Sequence, residues 1–268
     1  MKTVALITGA SSGIGKALAL ELAKGSNNIV ICSRNLNSLL ETKDLCTKCG
    51  VEVLAMQADV SKEEECQKLI DETRKKFGRL DILINNAGVS MRALFKDTTP
   101  EILKVLMDIN FWGCVYCTHY ALPLLLESKG TVVGISSVAG FKGLPGRSGY
   151  SASKFAMDGF LESLRIENLY TGLHVLTVHP GYTSSNIRNT ALRADGKPQR
   201  ESPRDEEKMM SSEECAKHII RAIKKKKSTL TLTTQGQLLF WLNKFFPSLC
   251  DRLVYQSLSR EKDSPLKA

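Results

Sequence analysis

Thr3-Val4-Ala5-Leu6-Ile7-Thr8-Gly9-Ala10-Ser11-Ser12-Gly13-Ile14-Gly15-Lys16 decides the fold. A short apolar run leads into a glycine-rich turn. The turn opens the amphipathic segment Ala17-Leu18-Ala19-Leu20-Glu21-Leu22-Ala23. Gly9 allows a tight turn, Gly13 lets backbone approach a pyrophosphate, and Gly15 permits close helix–strand packing. The helix start then offers free N–H groups and the positive end of its dipole to phosphates. Strand, turn and helix in that order give the glycine pattern a meaning it lacks alone.

Outward from this unit, apolar runs alternate with helical patterns. Strands are expected at 3–8, 28–33, 51–57, 80–85, 130–136, 173–179 and 228–233. Helices are expected at 13–24, 36–48, 61–77, 100–127, 149–170, 211–226 and 236–258. Ser61 before Lys62-Glu63-Glu64 reads as a helix cap, and Pro100 suits a first helical position. Such alternation predicts an α/β fold, a doubly wound parallel sheet of about seven strands. At 268 residues and 43% hydrophobic content the chain suits one large domain. That domain is expected over 1–235, with a C-terminal amphipathic extension over 236–268. Residues 186–210, with Gly196, Pro198 and Pro203, form a long polar stretch after a strand end and read as a substrate lid.

Met1 lies two residues ahead of the first strand residue, so no signal peptide or membrane anchor is expected. The eight cysteines then read as reduced cytosolic thiols. Cys46/Cys49 and Cys114/Cys117 have ligand-like spacing. The four histidines, His119, His174, His179 and His218, do not repeat at a metal-binding spacing, so no metal is expected. Residues 188–268 hold 17 Lys/Arg against 10 Asp/Glu and carry most of the net charge of +9. Lys224-Lys225-Lys226-Lys227 is the centre of that charge. It reads as a solvated helix end, or as attraction to acidic headgroups or an anionic cofactor. No aromatic residues interleave with it, so no nucleic-acid partner is expected.

Tyr150 and Lys154 stand four residues apart, on one helix face. A phenol loses its proton near pH ~10, and a cation beside it favours the phenolate. Ser137 ends the strand-like run Thr131-Val132-Val133-Gly134-Ile135-Ser136-Ser137. A hydroxyl, an activated phenol and an ammonium together suit proton transfer to or from an alcohol or carbonyl oxygen.

Taken in order, these motifs resemble the short-chain dehydrogenase/reductase family in its common single-domain form, over about residues 1–235. Thr8-Gly9-Ala10-Ser11-Ser12-Gly13-Ile14-Gly15 looks like its cofactor loop. Asn85-Asn86-Ala87-Gly88 looks like its strand-four motif. Asn110, Ser137, Tyr150 and Lys154 fall where its catalytic tetrad would be. Pro180-Gly181 begins the segment that closes over the nicotinamide. Thr183 belongs to that segment, and Ser185 stands where the family often has threonine. By this resemblance Tyr150 exchanges a proton with the substrate oxygen, and Ser137 stabilises that oxygen's developing charge. Lys154 lowers the Tyr150 pKa and holds the nicotinamide ribose. Asn110 positions a water linking Lys154 to solvent. Hydride chemistry belongs to the cofactor.

The second strand ends in Ile31-Cys32-Ser33-Arg34-Asn35, with no acid for ribose hydroxyls and with arginine available for a 2′-phosphate. NADP(H) is therefore expected in preference to NAD(H). Asp59-Val60 resembles the adenine-contacting pair, although Asp59 can equally cap the following helix. Expected pocket walls are Met91, Phe95, Val138, Phe141, Leu144, Pro145, Tyr182 and Ile187. Their apolar character suggests a lipid-, steroid- or aromatic-like carbonyl or alcohol. The segment 236–258 is too interrupted to span a bilayer. It can lie on a membrane surface, or pack on the lid or on a partner subunit. The chain is most like the hydroxysteroid-dehydrogenase-related reductases of the family, some of whose tails associate with membranes. It is expected in the cytoplasm or at a membrane periphery. Family pairing through helices near 100–127 and 149–170 makes a homodimer or homotetramer the expected assembly. The rival readings are a dinucleotide sensor, or a membrane-peripheral binding protein, with little turnover.

Overall fold

The structure, a computed structural model, describes residues 2–202 and 205–267. Met1 and Pro203, named above, lie outside them. The strands are β1 (Val4–Thr8), β2 (Asn28–Ser33), β3 (Val53–Gln57), β4 (Ile82–Asn85), β5 (Thr131–Ile135), β6 (His174–His179) and β7 (Thr229–Thr231). All pair in parallel, in the order β3-β2-β1-β4-β5-β6-β7. The order reverses between β1 and β4, so the crevice beyond the carboxyl ends of those strands is the natural ligand position.

Alternation along β1 shows why both sheet faces are covered. Val4 and Leu6 join one core, Ala5 and Ile7 the other. Helices α1 (Gly13–Lys24), α2 (Leu36–Thr47) and α7 (Ser212–Lys224) pack on the Ala5 side. Helices α3 (Glu63–Phe77), α4 (Pro100–Met107), α5 (Gly113–Glu127) and α6 (Ser148–Glu167) pack on the Leu6 side. Strands buried on both faces carry unbroken apolar runs, which is how β1, β2 and β5 read.

Several expectations are corrected. The helix expected at 100–127 is α4 and α5 joined by a π-helical turn, Asp108–Trp112. Pro100 does open α4, with Thr99 as its cap residue. Ser61 does not cap α3: its hydroxyl donates to Asp59 Oδ1 (2.8 Å), and the helix begins two residues later. Segment 236–258 is two helices, α8 (Thr234–Phe245) and α9 (Pro247–Ser259), broken where Pro247 restarts the chain. The four lysines at 224–227 sit exposed at the end of α7, the solvated helix end.

The stretch 186–210 is held by short backbone ties. Leu192 bridges Met91 on one side and Pro198 on the other, and Thr183 bridges Met210. Residues 186–202 thus lie against the loop that follows β4.

Candidate active site

The β1–α1 turn is shaped by its glycines. Gly9 and Gly13 have φ of +65° and +54°, in the left-handed region that glycine enters without strain. A Cβ on Gly15 would collide with the Gly9 carbonyl and the Asn86 side chain, so Gly15 packs the turn and does not line a cavity. Ser12 precedes α1, but its side chain caps no backbone N–H. The N–H groups of the first turn are thus left to another acceptor.

This turn forms one wall of a cleft of about 420 Å³. Gly9, Ser11, Ser12, Gly13 and Ile14 line it from β1–α1, and Ser33 and Arg34 from the end of β2. Asp59 and Val60 come from the end of β3, and Asn86, Ala87 and Gly88 from the end of β4. Tyr150, Lys154 and Ser185 complete the wall. Sequence positions from five strand ends thus converge on one crevice. It is a cradle that a dinucleotide fits: a glycine turn at an uncapped helix start, and no acid at the end of β2. Arg34 is exposed and lines the cleft. Asp59 likewise lines the cleft while accepting from the Ser61 N–H (3.1 Å).

The Asn86 side chain is spent inward. Its Nδ2 donates to Thr8 O (2.9 Å) and Gly9 O (3.1 Å), tying β4 to the turn. The π-helical turn aims Asn110 into the protein, where it is 1% exposed. Its Oδ1 accepts from the Val89 N–H (2.8 Å), and its Nδ2 donates to Val89 O (2.9 Å) and Ser153 Oγ (2.8 Å). The asparagine side chain therefore pins the β4 loop to α6, and does not itself reach Lys154.

Tyr150 and Lys154 lie on the buried face of α6, with the ammonium 5.9 Å from the phenol ring centre. Lys154 Nζ donates to Ile135 O (2.8 Å) at the end of β5. Burial pulls its pKa down to about 8, and Asp158 one turn along opposes that shift. Burial also dominates Tyr150 and raises its pKa; Ser137, Arg147 and Arg188 pull it the other way. The expectation that the Tyr150 pKa falls is corrected here, because desolvation of the phenol outweighs the nearby positive charge.

A second cavity of about 490 Å³ shares Ile14, Ser136, Tyr150, Ser185 and Ile187 with the cleft. Ser137, Val138, Leu144, Tyr182, Pro180, Gly181 and Thr183 line it as well. Met91 and Phe141 do not. Met91 is fully buried, its sulfur accepting from the Gly149 N–H (3.2 Å). Phe141 packs edge-on to His179 and Phe240. Phe95 and Pro145 are also absent from the walls.

Sequence reasoning missed two groups of wall residues. Arg147 and Arg188 face the cavity; Arg147 stands three residues before Tyr150, a helical spacing that could have marked it. The tail supplies the outer wall through Leu238, Leu239 and Leu242 of α8 and Leu253, Val254 and Leu258 of α9. The tail docks by Asn243 and Lys142: Asn243 Nδ2 donates to Phe141 O (3.0 Å), and Asn243 Oδ1 accepts from Lys142 Nζ (2.8 Å). Where β7 hands over to α8, Thr233 has φ +65°, strained for a β-branched residue. Its side chain sits where a Cβ on Gly181 would be, and it accepts from the Gly236 N–H to cap α8.

Comparison with known proteins gives the family. A family model described as short chain dehydrogenase matches residues 3–195. The chain belongs to the short-chain dehydrogenase family. Among curated relatives, "11-beta-hydroxysteroid dehydrogenase-like 4A" of Arabidopsis thaliana is 38% identical over 249 residues, covering 92% of this chain and 81% of that protein. "11-beta-hydroxysteroid dehydrogenase A" of Arachis hypogaea is 39% identical over 261 residues, covering 93% and 74%. An alcohol dehydrogenase from Thermococcus sibiricus, solved with 5-hydroxy-NADP, superposes with TM-score 0.74 at 25% identity, covering 87% and 96%. A short-chain dehydrogenase/reductase from Burkholderia phymatum, solved with NAD, has TM-score 0.83 at 22% identity, covering 92% and 95%; it shows the fold. The chain is thus a member of an oxidoreductase family related to the hydroxysteroid dehydrogenases, built on a fold that binds a nicotinamide dinucleotide. Among the described residues, no helix is long and apolar enough to cross a membrane.

Proposed function

We propose that the protein is an NADP(H)-dependent oxidoreductase that interconverts a carbonyl and an alcohol on a mostly apolar substrate. One observation carries the reading: the cleft under the glycine turn and the leucine-rich cavity meet at Tyr150. When bound, the nicotinamide supplies or accepts hydride at the substrate carbon. The chain's own residues then manage the oxygen. Ser137, whose Oγ also accepts from the Ala139 N–H (3.2 Å), points its hydroxyl at the substrate oxygen and stabilises charge there. Tyr150 gives that oxygen a proton in reduction and takes one in oxidation. Lys154 holds positive charge under the phenol and reaches the ribose side of the cleft. Asn110 acts through the Val89 backbone and α6, as a positioning residue.

The adenine-ribose end of the cleft favours NADP(H). Ser33 and Arg34 stand there without a carboxylate on β2, and Arg34 is free to meet a 2′-phosphate. Gly9, Ser11, Ser12, Gly13 and Ile14 hold the pyrophosphate, Asp59 and Val60 the adenine. Asn86, Ala87 and Gly88 line the ribose path, and Pro180, Gly181, Thr183 and Ser185 the nicotinamide. The lid is residues 186–210, over a domain of 1–235 that the extension 236–268 completes as a cavity wall.

The test is NADPH consumption across small diketones, aromatic aldehydes, retinal and ketosteroids, with Tyr150→Phe in parallel. Turnover in the parent and its loss in the variant, with NADPH binding retained, is expected. Equal turnover in both would overturn the assigned proton transfer. Binding without consumption of any carbonyl would favour a dinucleotide sensor.

One observation favours a second property, contact with a membrane surface. Trp241, Phe245 and Phe246 are each more than half exposed on the outer side of the helices that wall the cavity. Lys244 stands over the Trp241 ring, 5.6 Å from its centre. An apolar face with adjacent cations suits an anionic interface. Co-sedimentation with anionic liposomes should weaken in Trp241→Ser/Phe245→Ser; unchanged binding would remove the tail from that role.

A further inference from the structure

Two arginines stand in a cavity whose walls include six leucines and no carboxylate. Arg147 immediately precedes α6, and Arg188 lies in the segment after β6, so two separate elements deliver them to one wall. Their side chains are only 15% and 14% exposed. Burying a guanidinium is costly unless it is paired, so each needs a reason to be there.

The ionic partners lie outside the cavity walls. Arg188 Nε donates to Glu206 Oε1 (3.0 Å) and its Nη2 to Thr183 O (2.7 Å). Arg147 Nη2 lies 3.4 Å from Glu261 Oε2, a carboxylate that also serves Arg92 at 3.6 Å. Neither Glu206 nor Glu261 lines the cavity. The carboxylates therefore hold the two forks from outside the walls, while both arginines line the cavity that Tyr150 also lines. A guanidinium has five donors, and these contacts use two nitrogens of Arg188 and one of Arg147. Both cations are close enough to act on the Tyr150 phenol. A neutral carbonyl compound has no use for a second and third buried cation beside Lys154.

We infer that Arg147 and Arg188 form a carboxylate-recognition pair, so that the cavity takes a molecule with an apolar body and an acidic group near its reacting oxygen. The inference deepens the oxidoreductase reading and rests on it for what reacts at Tyr150. Planar forks match a carboxylate bidentately. The cavity volume of about 490 Å³ suits a small amphipathic acid. Leu144, Leu239, Val254 and Leu258 receive the apolar body.

The test reads binding, so that it does not depend on turnover. Decanoate and decanol share a chain and differ in charge at neutral pH. Calorimetry on the full chain should give decanoate at least about tenfold tighter than decanol, as expected for a charge-assisted pair. In Arg147→Gln/Arg188→Gln that ratio should fall towards one, and Arg188→Lys should retain part of it. A ratio near one in the parent protein, or a ratio kept in the double variant, would refute the pair. The second result would leave the arginines as staples for the lid and the tail. If the double variant does not fold, Arg188→Gln carries the same comparison. A decanoate preference without turnover of any carbonyl upholds the pair and sinks the oxidoreductase reading. Turnover of neutral ketones with a ratio of one does the reverse.

Discussion

Lys154→Met offers a test of the site's electrostatics that needs no substrate. The lysine is 2% exposed and its ammonium is held by Ile135 O, yet burial leaves its pKa near about 8 against an ordinary value of 10.5. The folded pKa lies below the unfolded one. Below pH 8 both states keep the proton, and the folded state bears the whole cost of a buried charge. As pH rises through 8 the folded protein releases the proton while the unfolded chain retains it, so stability rises with pH. A shift of that size is a cost of about 3 kcal/mol at neutrality. Between pH 7 and pH 9, before the unfolded lysine titrates, about 1.3 kcal/mol of it is recovered. Buried cysteines raised to about 12, such as Cys32 and Cys114, act in the opposite sense at higher pH. In both folded proteins they stay protonated between pH 7 and pH 9, so they cancel in the difference. Urea unfolding of parent and Lys154→Met at the two pH values, without cofactor, should show the parent gaining about 1 kcal/mol relative to the variant. Parallel pH dependence in the two proteins would refute a depressed Lys154, and with it the view that desolvation governs this pair.

Other substitutions test the cleft and its supports. Arg34→Asp should raise the NADPH Kd by about tenfold or more and the NADH Kd far less, read by fluorescence titration; equal losses would remove Arg34 from the cofactor choice. Gly15→Ala places a methyl against the Gly9 carbonyl and Asn86. It should cost about 1–3 kcal/mol in urea unfolding and weaken dinucleotide binding; an unchanged midpoint would show that the turn can yield. Asn110→Ala leaves both polar groups of Val89 without this partner and removes the donor to Ser153 Oγ, which keeps its bond to Tyr150 O. A loss of about 2–4 kcal/mol in stability is expected, and a loss under about 1 kcal/mol would mean that water replaces the amide.

The sheet was legible because its strands are buried on both faces and so lack polar interruptions, as in Ile29-Val30-Ile31-Cys32. The cleft was legible because strand ends in such a sheet must converge, and the glycines at 9 and 13 need conformations that few other residues adopt. The π-helical turn at Asp108–Trp112 was not, since a single inserted residue scarcely alters an apolar period. Met91 and Phe141 were misplaced for a related reason: an apolar residue near a site reads the same whether it faces the cavity or the core. The tail was ambiguous because one amphipathic stripe serves a membrane, a lid or a wall equally. In the structure the stripe is divided. Leu239, Leu242 and Val254 turn to the cavity, while Trp241 and Phe245 turn out and stack on each other, 5.9 Å between ring centres.

The Tyr150–Lys154 pair shows where spacing ends and environment begins. Four residues on a helix fixed the shared face and nothing about the sign of either pKa. In the structure desolvation pulls the two groups towards their neutral forms, raising the phenol and lowering the ammonium. A phenol that keeps its proton at neutrality suits donation to a carbonyl oxygen in the proposed reaction. Taking a proton from an alcohol calls for the opposite bias. Ser137, Arg147 and Arg188 supply that bias from the turn after β5, from just before α6 and from the segment after β6. The arginines are in turn held by Glu261 beyond α9 and Glu206 in the 186–210 stretch. The electrostatic surroundings of Tyr150 thus depend on the placement of two segments, the 186–210 stretch and the C-terminal helices. A change that loosens either one reaches the phenol through an arginine, with Tyr150 and Lys154 themselves untouched.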